Sequence, residues 1–179
     1  LLARPDEKTD IEMLDFEAFL ETIFFPPNPY RNLDHSLATD SAFNGGDATV
    51  GRQLFDGSHP TEVVAPLCIA CHIDPFGTNQ QILLPVPAEE VFVQTEVAHL
   101  NNLYEKTGFD RTSQENNRGF GMVHDGNVPT IADFIALEVI TLTDPSLAPD
   151  LEAYLASFNF GTHAGIGAQA QMGVPGVDE

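Results

Sequence analysis

The stretch PLCIACHID, residues 66–74, contains the only two cysteines of the chain, Cys68 and Cys71, and His72 follows the second one directly. Two thiols and an imidazole therefore fall within five consecutive positions of a sequence that has no other use for cysteine. The order C-x-x-C-H leaves few kinds of chemistry open, and the fold expected for the rest of the chain depends on which of them applies.

C-x-x-C-H is the attachment signature of c-type haem. Each thiol adds across one vinyl group of the haem, and the adjacent histidine binds the iron from the same side. Two residues between the cysteines match the separation of the two vinyls. The motif therefore predicts one haem c, attached through Cys68 and Cys71, with His72 as the proximal axial ligand.

Three other interpretations of the motif stay open. A thioredoxin-like dithiol belongs at the end of a strand that opens a helix, and no βαβ pattern surrounds residues 66–74. A disulfide across two intervening residues would constrain almost none of the chain. A structural zinc ion would need two further ligands, drawn from His59, His99, His124 and His163.

The rest of the chain favours helices separated by long irregular loops, which predicts an all-α fold. Apolar spacing and capping residues indicate helices at about 10–25, 48–55, 95–109, 130–142 and 150–158, with Asp10, Asp47, Thr130 and Asp150 as caps. Residues 1–160 are expected to form a single domain, with a haem-wrapping core at about 47–160 and the helix 10–25 packed on it. The Gly- and Ala-rich segment 161–179 is expected to be a linker or a flexible tail.

Several motifs resemble class I c-type cytochromes: GRQLFDG at 51–57, CIACH at 68–72 and the closing segment DLEAYLASF at 150–158. The pair TEVAHLNNLYEKTGF and GFGMVHDGNVPTIADFI is similar to the second haem half of the bacterial di-haem peroxidase and methylamine-utilisation enzyme superfamily. The chain differs from that superfamily in having one C-x-x-C-H, Asn101 in place of the usual arginine, and no first haem half. The resemblance implies a cytochrome c-like helical domain and electron transfer more than catalysis.

The sixth iron ligand is expected from the Gly-rich loop GFGMVHDG, where Met122 is the first candidate and His124 the alternative. Met13 has a spacing typical of core packing, and Met172 lies in the expected tail. An iron with an open or Tyr-ligated sixth position is the remaining alternative.

Two further pairs are candidates for haem contacts. Tyr104 and Phe120 could line the haem, although aromatic residues at helical spacing are also typical of ordinary core. Arg111 and Arg118, two of only seven basic residues, could pair with the haem propionates, and a solvated loop explains them equally well.

The formal net charge of −20 disfavours nucleic acid and anionic membrane surfaces as partners, because their phosphates would repel the chain. No run approaches the roughly 20 apolar residues of a membrane-spanning helix. The acidity either serves solubility or guides a basic redox partner. The resemblance extends to single-haem modules of secreted multidomain redox proteins, so the partner could be a copper-dependent monooxygenase or another oxidoreductase.

The sequence thus predicts an electron-transfer protein, more in keeping with a carrier than an enzyme, that passes one electron at a time. It is expected to be part of an exported or multidomain bacterial protein, in the periplasm or outside the cell, since covalent haem attachment occurs outside the cytoplasm. The alternative is a peroxidase-type haem enzyme or a haem sensor with an open sixth iron position.

Overall fold

Helices dominate the regular structure of the chain. A computed structural model describes residues 7–83, 95–108, 121–123, 126–138, 140–158 and 161–162. Its α-helices are α1 (Asp10–Leu20), α2 (Ala48–Asp56), α3 (Leu103–Lys106), α4 (Ile131–Ile135) and α5 (Ala148–Ala156). Two 3₁₀ helices span Cys68–Ala70 and Pro145–Leu147, and strands β1 (Ile82–Leu83) and β2 (Thr95–Glu96) pair antiparallel. The predicted helical class is confirmed at this level, and the short ladder is an addition to it.

Helix α2 forms as its sequence predicts. Asp47 is the N-cap, and its carboxylate accepts hydrogen bonds from the backbone N–H groups of Thr49 and Val50. The helix ends at Gly57, whose positive φ of 78° is the left-handed conformation that glycine adopts most easily. The inner face of α2 carries Leu54 and Phe55, both buried.

Helices α2 and α5 make the most extensive contact between two elements of the described chain. They cross at Gly51, where a Cβ atom would lie 2.0 Å from the carbonyl oxygen of Asp150. Only glycine allows the two backbones to approach this closely. Beside the crossing, the ring of Phe55 packs edge-on against that of Tyr154, with 5.1 Å between the ring centres, and its centre lies 6.0 Å from that of Phe158. These three rings form the aromatic centre of the core.

The loop between α1 and α2 fastens the C-terminal end of α5. The Asn28 side chain donates to the carbonyls of Ala156 and Phe158 at 2.9 and 3.3 Å. Arg31 Nε donates to the Ser157 carbonyl at 2.7 Å. Ala156 is the last residue of α5, and Ser157 and Phe158 follow it, so the loop satisfies carbonyls at the helix end that have no partner within the helix.

Helices α3 and α4 are shorter than predicted. Residues 95–96 pair with β1, and Asn102 takes a left-handed φ of 56°, so the predicted helix 95–109 is reduced to Leu103–Lys106. Thr130 caps α4 as predicted, but Thr141 exchanges backbone hydrogen bonds with Ala65 at 2.7 and 3.1 Å. This pairing takes Thr141 out of the predicted helix 130–142.

Two predicted caps are wrong. Thr9, not Asp10, caps α1, in a capping box with Glu12. Helix α5 begins at Ala148, two residues before Asp150. The Asp150 carboxylate instead accepts from the backbone N–H of Asp47 at 2.8 Å, because this position faces the start of α2.

Helix α1 occupies the first part of the predicted segment 10–25, yet none of its residues is buried. The packing of this helix on the core, expected from its apolar spacing, is therefore not seen in the burial of its side chains. No helix in the described part of the chain combines the length and apolar character needed to cross a membrane. The segment expected to be a tail lies outside the described residues except for 161–162.

Candidate functional site

The C-x-x-C-H motif forms one tight helical turn. The 3₁₀ helix Cys68–Ala70 is closed by the backbone N–H of Cys71, which donates to the Cys68 carbonyl at 3.2 Å. The N–H of His72 donates to the same carbonyl at 2.9 Å. In a turn of this kind, positions three and four residues apart are neighbours, so the positions of Cys71 and His72 both neighbour that of Cys68.

The imidazole of His72 is held by the loop that follows the motif. His72 Nδ1 lies 2.7 Å from the carbonyl oxygen of Gly77. A carbonyl oxygen can only accept, so Nδ1 donates in this contact, and Nε2 is the ring nitrogen left for a ligand. A metal-ligating histidine is commonly oriented in this way by a carbonyl on its other nitrogen.

Gly77 can offer its carbonyl only because it is glycine. Its φ is 69°, and a Cβ atom there would lie 2.8 Å from Leu100 Cβ and 2.9 Å from Phe158 Cε1. Its N–H donates back to the Ile73 carbonyl at 2.8 Å, which closes the loop on itself. Gly77 was not among the residues singled out from the sequence, although the run DPFG at 74–77 carries a turn signal.

Cys68 is not tuned for thiol–disulfide exchange. Burial, with a smaller contribution from nearby Cys71, raises the pKa of the Cys68 thiol to about 11. Catalytic thiols have a lowered pKa that makes them nucleophilic at neutral pH, and this is the opposite case. Cys68 and Cys71 are both free thiols.

The three side chains of the motif also do not converge on one point. Among the described residues, no three His, Cys, Asp or Glu side chains are grouped closely enough to hold a metal ion. A zinc ion would require its ligands within about 2.0–2.3 Å of a single centre. A haem instead contacts two thiols at its edge and an imidazole at its centre, so separated side chains fit it.

Met122 lies in the apolar interior. Its side chain is 7 % exposed and belongs to the same core cluster on which Cys68 packs. A two-residue bridge holds its backbone, with the Met122 N–H donating to the Val128 carbonyl at 2.8 Å. Gly121 has a φ of 73°, and a Cβ atom there would lie 2.8 Å from the Val128 carbonyl oxygen, so glycine permits this close pairing of the two backbones. The backbone at Met122 is therefore held in place, and the side chain lies among apolar groups.

The side-chain oxygens of two asparagines next to Leu100 have no hydrogen-bond partner in the described part of the chain. The side-chain oxygens of Asn101 and Asn102 are buried and accept no hydrogen bond from any described residue. Leaving a buried acceptor unsatisfied costs about 1–3 kcal/mol, so such a position marks a place for an additional polar group or a water molecule. Leu100 itself contacts the Gly77 position, which puts these amides beside the loop that holds His72.

The other predicted site residues are only partly covered by the structure. Tyr104 is half-buried, packs against the core and meets the ring of Tyr30 edge-on at 5.4 Å. Burial raises the pKa of its phenol, with smaller contributions from Glu105 and Tyr30. Arg111, Arg118, Phe120 and His124 lie outside the described residues.

Comparisons of the chain with protein-family models, curated proteins and solved structures gave no match.

The contact between His72 and Gly77 can be tested by comparing Gly77→Ala with Gly45→Ala. Both glycines have a positive φ, but a Cβ at Gly45 has only one neighbour, at 4.0 Å. We expect Gly45→Ala to cost about 1 kcal/mol of backbone strain. Gly77→Ala should cost about 1–3 kcal/mol more from overpacking, measured by urea unfolding.

Imidazole ¹⁵N chemical shifts should also show the Nδ1–H tautomer of His72 in the parent chain and in Gly45→Ala, but not in Gly77→Ala. Equal destabilisation of the two variants, with the Nδ1–H tautomer retained in both, would show that the Gly77 carbonyl does not orient the ring.

Proposed function

We propose that the chain is a single-haem c-type cytochrome domain that passes one electron at a time between redox partners. The observation that carries the proposal is the contact of 2.7 Å between His72 Nδ1 and the Gly77 carbonyl. It leaves Nε2 as the free nitrogen, directly after the turn that contains Cys68 and Cys71. The spacing of the motif and the orientation of its imidazole thus favour the same cofactor.

The residues of the chain divide the work of holding such a haem. Cys68 and Cys71 would supply two thioether bonds, and His72 Nε2 would be the proximal ligand. A bound haem c supplies a one-electron couple between ferric and ferrous iron. Gly77 would orient the imidazole, and Cys68 packs, partly buried, against the core.

Met122 is the sixth ligand in this proposal. Its burial and its fixed backbone support the assignment, since a ligand that keeps its position in both oxidation states suits electron transfer. A filled coordination sphere would also distinguish this domain from a peroxidase-type enzyme or a sensor, which needs an open position for its substrate or ligand.

The proposal includes an exported protein, periplasmic or extracellular, with a basic redox partner. The charge of −20 supports such a partner, because a field of this size attracts cationic surfaces. A secreted copper monooxygenase or another oxidoreductase is the class of partner that the sequence resemblance suggests.

Haem attachment is tested by expressing the chain with and without a cytochrome c maturation system. With the system, we expect a mass increase of one haem and colour that acid–acetone extraction leaves on the protein. A variant with both Cys68→Ala and Cys71→Ala should lose its haem in the extraction, and Cys68→Ala alone should keep one thioether bond. A bare parent chain after expression with the maturation system would refute the proposal.

The sixth ligand is tested by comparing Met122→Ala with Met13→Ala, since Met13 is half exposed on α1. Met122→Ala should abolish the sulfur-to-iron charge-transfer band of the ferric protein and lower the midpoint potential, because a thioether favours ferrous iron. Met13→Ala should leave both unchanged. A parent protein that is already high-spin and turns over hydrogen peroxide would support the enzyme alternative instead.

The role of the charge is tested by the salt dependence of electron exchange. Exchange with a basic protein should slow steeply as salt is raised, because charges separated by more than about 8 Å are screened at physiological ionic strength. Exchange with a neutral small mediator should hardly change. Equal salt dependence for both would leave the acidity as a solubility feature.

A further inference from the structure

The second half of α1 and the residues after it resemble α5 in sequence. Residues 15–23 read DFEAFLETI and residues 150–158 read DLEAYLASF, at a constant offset of 135 positions. Within the first six positions the only changes are Phe16 for Leu151 and Phe19 for Tyr154. Both changes keep a large apolar or aromatic side chain in place.

The two helices also end in the same way. The Thr22 hydroxyl donates to the Phe19 carbonyl at 2.7 Å, and at the matching positions the Ser157 hydroxyl donates to the Tyr154 carbonyl at 3.1 Å. The backbone N–H of Thr22 also donates to the Phe19 carbonyl, and that of Ser157 to the Tyr154 carbonyl, each at 3.0 Å. The likeness therefore extends from residue types to local structure.

The burial of the repeated face differs completely between the copies. In α5 its four large side chains, Leu151, Tyr154, Leu155 and Phe158, are 1 to 6 % exposed beneath α2. The corresponding set consists of Phe16, Phe19 and Leu20 of α1 and Ile23 just beyond its end, and it is 42 to 59 % exposed. A cluster of this size on a surface typically marks an interaction site.

The polar positions beside this face indicate what covers it. In α5, Asp150 accepts from the backbone N–H of Asp47 at the start of α2, and Glu152 accepts from the Asn44 side chain at 2.9 Å. Asp15 and Glu17 occupy the same two positions of α1 and are exposed. Carboxylates in this place complement the positive N-terminal end of an approaching helix.

We infer that the face formed by Phe16, Phe19 and Leu20 of α1, together with Ile23 beyond its end, binds a second helix of the α2 type, carried by another module. The partner helix has a glycine at the crossing point, followed by a leucine and an aromatic residue on the same face, as Gly51, Leu54 and Phe55 provide in α2. The partner cannot be α2 of the same chain, because its inner face already packs against α5.

The charges of α1 disfavour the other occupants. Asp10, Glu12, Asp15 and Glu17 would be repelled by an anionic lipid surface. Two copies of α1 laid against each other would bring these carboxylates together in the same way. A helix that presents its N-terminal end to Asp15 and Glu17 avoids both penalties.

The test uses a fluorescein-labelled peptide of residues 44–58, which contains α2 with both caps. A lactam bridge between Thr49→Glu and Gln53→Lys, two positions exposed in the chain, holds it helical. Fluorescence anisotropy would measure its binding to the full chain and to two variants, Phe19→Glu and Leu14→Glu. Leu14 is equally exposed but lies about 140° around the helix from Phe19, so it is the matched control.

We expect saturable binding that Phe19→Glu weakens at least tenfold and Leu14→Glu leaves within twofold. A peptide with Gly51→Leu should bind at least tenfold more weakly, because a side chain at the crossing prevents close approach. Circular dichroism would confirm that both protein variants keep their helices.

Three outcomes would overturn the inference: no saturable binding up to about 1 mM peptide, binding indifferent to Phe19→Glu, or a chain dimer that Phe19→Glu dissociates and the peptide does not. The dimer would assign the face to a second copy.

Discussion

The backbone of Gly51 lies directly against the carbonyl of Asp150, and the rest of the fold is arranged around this crossing of α2 and α5. The crossing aligns Phe55 with Tyr154 and Phe158, which fill the core between the helices. From the end of α2 the chain reaches the turn of the C-x-x-C-H motif within about a dozen residues. From the end of α5, Phe158 reaches the loop at Gly77. One close contact between two backbones therefore sets the positions of both the motif and the carbonyl that orients its histidine.

Those parts of the fold that are determined locally could be predicted from the sequence. Asp47 caps α2 because its carboxylate reaches the N–H groups two and three residues ahead, and Gly57 ends the helix because the left-handed conformation costs it little. The predicted third and fourth helices failed where a distant segment competed for the same backbone. β1 pairs with residues 95–96, and Ala65 pairs with Thr141. Such competition is decided by tertiary contacts, and helical spacing in the sequence does not record it.

The candidate site also has parts that the sequence reveals and parts that only the structure reveals. Cys68, Cys71 and His72 are recognisable because three reactive side chains stand at a restrictive spacing. Gly77 contributes a backbone carbonyl, and a carbonyl has no side-chain signature in any sequence. The side-chain oxygens of Asn101 and Asn102, which have no hydrogen-bond partner among the described residues, could be found only once their burial was known. The likeness of residues 15–23 to 150–158 is present in the sequence, but its meaning depends on one copy being covered and the other exposed.

The contact of Phe158 with Gly77 has a consequence for the order in which the molecule is assembled. The contacts around Gly77 are incomplete until α5 has docked and brought Phe158 into place. The end of α5 is in turn held by hydrogen bonds from Asn28 and Arg31, which span 126 to 130 residues of sequence. Contacts between such distant positions form late, because long loops must close first. A chain synthesised from its N-terminus thus presents both thiols of the motif before the last helix can cover the loop behind them. The same architecture that partly buries Cys68 in the finished fold therefore leaves its sulfur more accessible until α5 has docked.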